Sequence, residues 1–269
     1  MARYDVVTFL TDYGLADVFV GLCHAALVTG APHARVVDLT HAIARQDVCH
    51  GAGVLADCMP FLPPAVHLAV VDPGVGTVRR PVVVAAGDAL LVGPDNGLLW
   101  PAAERLGGAA AAWGIAVAQA RPAVTFDGRD VFAPAAARLA AGADPDAVGP
   151  RLGVEALHRL TLPEATVAAG VLQAEVVHAD AFGNVQLSAR AADLEAAGLP
   201  PGAGLIVAGR PATRCKTFAD VAGGDLAVLP DAFGRVQVAV NRGSAAVVLG
   251  LSPGDVVVVA LAHRPRGPG

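Results

Sequence analysis

The chain has 269 residues, 54% of them hydrophobic and 16% charged, which is too apolar for a disordered polypeptide and leaves room for one large domain or two modest ones. Aromatics are only 4%, so Ala, Val and Leu supply the apolar content, as small core residues and a buried subunit interface require. The formal net charge of −5 argues against a broad basic face for nucleic acid, and no apolar stretch reaches the roughly 20 residues of a membrane span.

The N-terminus holds too short an apolar run, with Asp5 inside it, for a secretory leader, so the expected compartment is the cytoplasm. Residues 4–10 are a β-branched run that predicts a first strand. Residues 17–29 carry Val18, Leu22, Ala25 and Ala26 at helical spacing and stop at Gly30 and Pro32, which predicts a helix. Residues 35–39 predict a second strand, 47–59 a second helix ended by Pro60, and 66–71 a third strand buried on both faces. Residues 81–86 and 89–92 flank Gly87-Asp88 and predict a hairpin. Residues 131–141 predict a helix with Asp130 as its N-cap, Pro134 in its first turn and Gly142 at its end. Alternation of this kind predicts an α/β fold, a mostly parallel sheet with helices on both faces.

The second half changes character. From about Gly170 the runs are short and β-rich: 171–178, 185–187, 204–208, 226–229, 236–240, 245–249 and 256–261. Their spacing predicts a small all-β barrel or sandwich. The boundary is expected within 158–169, giving an N-terminal domain over 1–160, a C-terminal domain over 170–263 and a disordered tail at 264–269. No internal repeat is apparent. Cys23, Cys49, Cys58 and Cys215 form no C-x-x-C pair. The neighbours Cys23-His24 and Cys49-His50 point about 100° apart on a helix, which is poor chelate spacing. The cysteines read as small buried thiols, and no metal is expected.

Four polar clusters interrupt the apolar background. Asp12, after the first strand, sits where open α/β sheets place ligands, and its carboxylate suits the two hydroxyls of a ribose. Asp17 reads as an N-cap or turn residue. In the segment 71–81, Gly74-x-Gly76 looks like half a dinucleotide fingerprint, but Arg79 occupies the third glycine and Pro81 follows instead of a helix. What remains is Asp72 at a strand end with Arg79 and Arg80 beyond a tight turn, an arginine near enough to keep the carboxylate ionised. In the run Phe126-Asp127-Gly128-Arg129-Asp130, Asp127 has no evident local structural duty. Asp180-Ala181-Phe182-Gly183-Asn184 reads equally as a hairpin turn and as a ring with an amide that stack on and read a base. Residues 93–97, Gly-Pro-Asp-Asn-Gly, read as a structural turn.

Taken in order, T-D-Y-G-x-x-D at 11–17, V-V-D-P-G-V-G-T-x-R-R at 70–80, G-P-D-N-G at 93–97, F-x-G-R-D-x-F-A-P at 126–134, D-x-F-G-N at 180–184 and V-N-x-G-S-A-A at 240–246 resemble the S-adenosylmethionine hydroxide adenosyltransferase family. The resemblance runs over nearly the whole chain. It implies a Rossmann-like N-terminal domain, a C-terminal antiparallel β-barrel, and a homotrimer with each site between neighbouring subunits. It implies hydrolysis of S-adenosylmethionine to adenosine and methionine, with no cofactor, no metal, no nucleic acid and no membrane. By the same resemblance Asp72 and Arg79 belong to the set that holds the attacking water, and Asp127, in the place of that set's histidine, is expected to substitute as a hydrogen-bond partner for the water. Asp12 takes the ribose diol, Gln46 lines the ribose and methionine region, Phe182 and Asn184 meet the adenine, and Asp180 meets the methionine amino group. Phe126 and Asn241, within two of the motifs, join the substrate-binding set.

Two departures stand out. Asp127 occupies the position where the family usually has a histidine, so two carboxylates face one arginine. The stretch Asp231-Ala232-Phe233-Gly234 lacks the serine-containing pattern that relatives use near the methionine carboxylate, for which Arg235 or Arg242 could compensate. Three other readings fit parts of the sequence: a halide-using relative, a metal-dependent nucleoside hydrolase built on Asp12 and Asp17, and a non-catalytic adenosyl-ligand binder.

Overall fold

The computed structural model describes residues 4–117 and 125–262, so the tail at 264–269 lies outside the described residues. The chain divides into two units, Met1–Leu162 and Pro163–Gly269.

The first unit runs β1 (Val6–Thr11), α1 (Phe19–Gly30), β2 (Arg35–Thr40), α2 (Val48–Cys58), β3 (Val66–Val70), β4 (Pro81–Ala86), β5 (Ala89–Pro94), α3 (Trp100–Arg105), β6 (Ala109–Gly114), α4 (Ala133–Ala140) and β7 (Arg151–Leu152). Its sheet has the order β2-β1-β3-β5-β4-β6-β7. Strands β2, β1, β3 and β5 are parallel, and β4, β6 and β7 extend them antiparallel. Every residue of β3 is buried. Val66, Leu68 and Val70 face the layer of α1 and α4, while Ala69 and Val71 face that of α2 and α3. Covering both faces is what lets parallel strands read as continuous apolar runs.

Several local expectations change. Helix α1 buries Val20, Cys23 and Leu27, whereas Val18 is 68% and Leu22 38% exposed, so the apolar stripe expected to face the core faces outward. Val18 holds the N-cap position of α1, without a side-chain cap bond, so of the two readings of Asp17 the turn stands: it lies in the bend before the helix. Asp130 is not an N-cap, because α4 is preceded by a π-type turn, Gly128–Phe132, that contains it. There the Ala133 N–H reaches back five residues to the Gly128 carbonyl. Strand β6, Ala-Ala-Ala-Ala-Trp-Gly, carries no strand signal of its own; pairing with β4 and β7 overrides alanine's helical preference. Of the cysteines, Cys23 and Cys215 are buried, but Cys49 and Cys58 are only partly so.

The second unit runs β8 (Thr166–Ala168), β9 (Val171–Ala179), β10 (Val185–Arg190), α5 (Ala191–Ala196), β11 (Gly204–Val207), β12 (Arg210–Arg214), β13 (Leu226–Pro230), β14 (Arg235–Val240), α6 (Ala245–Leu249) and β15 (Val256–Leu261). The order β10-β14-β13-β12-β11-β15-β9-β8, with β10 also paired to β9, closes seven strands into a barrel. The pairings are antiparallel except β12 with β13. Residues 245–249, expected as a strand, form α6 instead. Ser244 Oγ accepts the Val247 N–H at 3.3 Å, and Gly250 ends the helix at φ 65°. These start and stop signals outweigh two adjacent valines.

Candidate active site

In the first unit, Asp12 and Asp72 lie just beyond the carboxyl ends of β1 and β3, two adjacent parallel strands. That is the position from which an α/β sheet presents side chains to a ligand. They open on a cleft of about 410 Å³ whose wall also includes Tyr13, Asp17, Gln46, Phe126 and Asp127.

The segment after β3 turns back on itself. Val75 N–H donates to the Asp72 carbonyl at 3.3 Å and Thr77 N–H to the Gly74 carbonyl at 3.1 Å. Gly76 takes φ 80°, a conformation open to glycine without strain. The turn brings Arg79 back onto Asp72. Arg79 Nε donates to Asp72 Oδ1 at 3.0 Å, and one terminal nitrogen donates both to Asp72 Oδ2 and, at 2.6 Å, to Asp127 Oδ2. None of these three side chains is more than 8% exposed. The guanidinium also lies over the Phe132 ring, 5.2 Å from its centre. Sequence reasoning expects Arg79 to hold Asp72 ionised, but burial outweighs it. The Asp72 carboxyl is pushed above its ordinary range by desolvation, with the Asp127 charge adding to the rise and the Arg79 bonds opposing it. With both carboxylates ionised the trio carries one net negative charge.

Asp12 Oδ2 accepts the backbone N–H of Gln46 at 2.8 Å. Gln46 adopts φ 64°, uncommon for a residue with a side chain, and this aims its N–H at Asp12. The bond ties together the loops after β1 and before α2. A second wall is aromatic. Phe126 lies 5.8 Å from Tyr13 and 5.1 Å from Phe19, both edge to face. Arg129, bonded to Asp130 at 2.6 Å, lies over the same Phe126 ring, 5.2 Å from its centre. Gly128 admits no side chain, since a Cβ there would sit 2.3 Å from the Tyr13 hydroxyl. Burial raises the Tyr13 phenol, which therefore stays protonated. Arg80 takes a different path from Arg79. It pairs with Asp95, whose other oxygen accepts the His158 N–H at 2.8 Å, so this arginine and the 93–97 turn serve the structure.

In the second unit a cavity of about 950 Å³ is lined by Asp180, Phe182 and Asn184 together with Phe233, Lys216 and Arg242. Asp180 Oδ1 accepts the N–H groups of Phe182 and Asn184 at 2.8 and 2.9 Å, and Oδ2 accepts Asn184 Nδ2 at 2.8 Å. The bonding fixes the turn and leaves Phe182 81% exposed, its ring presented to the cavity. Asp231-Ala232-Phe233-Gly234-Arg235 builds the same turn between β13 and β14. Asp231 Oδ1 accepts the Phe233 and Arg235 N–H groups, both at 2.8 Å. Gly183 and Gly234 match at φ 81° and 77°. The recurrence D-A-F-G is visible in the sequence, where it passes as chance until both copies are seen on one cavity. Asn241 is not brought to the cavity wall, because its Nδ2 donates to the Val221 carbonyl at 2.7 Å. Phe19, Arg45, Lys216 and Phe218 line these walls outside every motif, and the roles of Tyr13 and Phe233 within theirs are not read from the sequence.

Comparison with known proteins finds a family and close relatives for the chain. Residues 7–149 match the model of the SAM hydroxide adenosyltransferase N-terminal domain, and residues 174–258 that of the C-terminal domain. The chain is 51% identical over 258 residues to the (R)-S-adenosyl-L-methionine hydrolase of Salinispora tropica, covering 95% of this chain and 97% of the relative. It is 41% identical over 264 residues to the (R)-S-adenosyl-L-methionine hydrolase of Thermus thermophilus, covering 92% and 96%. Among solved structures, an uncharacterized conserved protein from Thermotoga maritima superposes with a TM-score of 0.87 at 33% identity, covering 94% of this chain and 99% of that one.

Proposed function

Because the chain belongs to the S-adenosylmethionine hydroxide adenosyltransferase family, we propose that it hydrolyses S-adenosyl-L-methionine to adenosine and L-methionine. Water or hydroxide attacks ribose C5′ in line with the C5′–S bond. The electron pair of that bond leaves on sulfur, so the sulfonium becomes a neutral thioether and a proton is released. A thioether leaves readily without protonation, so the chemistry asks the protein for neither a general acid nor a Lewis acid. It asks for a weak nucleophile held on the right line, and positioning of this kind can supply roughly 7–11 kcal/mol of the barrier.

The observation that carries the reading is the convergence of Asp72 and Asp127 on Arg79 beside the cleft that Asp12 also lines. Asp72 orients the water and accepts its proton. Arg79 fixes Asp72, and Asp127 anchors Arg79 from the other side in the role the family usually gives a histidine. The net negative charge of the trio favours a cationic substrate. It disfavours a halide, which beside a carboxylate costs roughly 4 kcal/mol at 4 Å and an effective dielectric near 20. Asp12 takes the ribose diol beside Gln46 and Phe126. In the second unit Phe182 stacks on the adenine and Asn184 reads its edge. Three of roughly four acceptor sites on Asp180 are filled within its turn, which leaves one for the methionine ammonium. Each site is completed in a homotrimer, where the first-unit cleft of one subunit meets the second-unit cavity of its neighbour. The exposed apolar residues Leu15, Val18, Phe19 and Val28 suit such an interface. The enzyme works in the cytoplasm without a cofactor.

Incubation with S-adenosylmethionine, with and without EDTA, tests the reading by chromatography. Equal release of adenosine and methionine in both is the expected result. Free adenine, EDTA sensitivity, or binding without turnover would overturn it.

A further inference from the structure

On the far side of the loop that carries Asp12, three side chains meet that the hydrolysis does not use. We propose that His24, Asp38 and His41 form a binding site for one divalent transition-metal ion of the zinc type, outside the reacting centre. His24 comes from α1, while Asp38 on β2 and His41 just after its end lie three positions apart, so two stretches of chain supply the three ligands. Asp38 Oδ1 lies 2.8 Å from His24 Nε2 and 3.1 Å from His41 Nε2, and the three donor atoms all fall within 4.8 Å of one another.

His41 separates a metal site from an ordinary ion pair. Its side chain is 3% exposed, yet its Nε2 makes no hydrogen bond. The neighbouring carboxylate oxygen is near enough, but it lies off the direction in which the ring nitrogen points. An N–H donor would point at the oxygen. A metal ligand points instead into the space between the donor atoms, where the ion sits about 2.0–2.1 Å from each. Tetrahedral ligands at that distance stand roughly 3.3 Å apart, and the Asp38 oxygen stands 2.8 and 3.1 Å from the two imidazole nitrogens. The other ring nitrogen is already oriented as metal-binding histidines require: His41 Nδ1 lies 2.9 Å from Thr11 Oγ1, which also accepts the Tyr13 N–H at 3.2 Å. The Phe9 ring packs 4.8 Å from His41 and 5.9 Å from His24, which limits the freedom of both imidazoles. His24 and Asp38 remain 32% and 41% exposed, leaving an entry path and room for a water ligand. Two imidazoles and one carboxylate favour zinc, cobalt or nickel over the oxygen-seeking calcium and magnesium.

The site is coupled to the cleft by position. The His41 carbonyl accepts the Gly14 N–H at 2.7 Å, and Thr11 immediately precedes Asp12. An ion here clamps β2 and α1 to the loop that presents Asp12, and stabilises the folded chain by mass action.

Untagged full-length protein, stripped with chelator and titrated with Co2+, provides the test. One equivalent of Co2+ is expected to bind with visible d–d absorption, to be displaced by Zn2+ and to raise the melting temperature. His24→Ala and Asp38→Asn each lower Co2+ affinity by roughly ten-fold or more while metal-free hydrolysis continues. A smaller loss in both variants, or no stoichiometric Co2+ binding below about 1 mM, overturns the proposal.

Discussion

Asp72 and Asp127 accept hydrogen bonds from the same terminal nitrogen of Arg79. One cation therefore fixes two anions, and the geometry of each carboxylate depends on the other. A third group of either sign would upset the balance: a second cation would cancel the field that favours a sulfonium, and a third anion would leave a buried charge unpaired.

Replacing Asp72 by Asn keeps the shape and removes the base. Turnover is expected to fall by roughly 10²-fold or more, read as adenosine release under saturating substrate. Because burial pushes the Asp72 carboxyl upward, its ionised form opposes folding at neutral pH, and the contribution it makes when protonated is lost as pH rises. Asp72→Asn should therefore unfold at the same denaturant concentration as the parent, or a higher one. Full activity in this variant would remove the proposed mechanism.

The acid limb of kcat/KM should lie above the ordinary carboxylate range, since Asp72 must be ionised and its carboxyl is raised. The Asp127 charge is part of that rise, so Asp127→Asn should move the limb to lower pH. Asp127→His should move it as well, by exchanging an anion for a group that titrates near neutrality. A limb that stays in place in both variants would deny Asp127 any electrostatic role.

Phe182 is 81% exposed, so its removal costs the fold little. Phe182→Ala should raise KM roughly ten-fold through lost stacking and leave kcat nearly unchanged. Steady-state kinetics paired with a thermal melt separates this outcome from misfolding.

His67 sits in the centre of the sheet, 2% exposed, with Nδ1 2.8 Å from Thr8 Oγ1. Burial lowers its pKa to about 4. The unfolded chain then binds a proton that the folded chain refuses, so stability falls as pH drops from about 6.5 toward 4. The loss between pH 7 and 5 is expected to be roughly 1–2 kcal/mol from this group, and His67→Gln should flatten that part of the profile in denaturant titrations.

The sequence made most of this legible because the clues were local. Apolar runs announced β1 and β3, the latter as a strand buried on both faces, and the turn from Asp72 to Arg79 is short enough to read directly. What stayed hidden depended on tertiary context. The inner face of α1 could not be chosen, since both of its faces are apolar and only packing against α4 decides between them. Strand β6 is made largely of alanine and owes its form to its neighbours. The pairing of Arg79 with Asp127 crosses 48 positions, beyond any spacing rule. The His24, Asp38 and His41 group escaped for a related reason: Asp38 and His41 are neighbours in the chain, but only the seat of α1 brings His24 to them.

The π-type turn before α4 shows what the site costs the helix. It fits one more residue into a single turn than an α-helix holds, and Asp127 stands at its mouth. Deleting one residue between 128 and 132 would let ordinary α-helical pairing run on unbroken. The shortened protein would be the more regular molecule, and its carboxylate would swing about 100° around the helix axis, off Arg79. Chain length at this point thus trades the regularity of a helix against the seat of one carboxylate on Arg79.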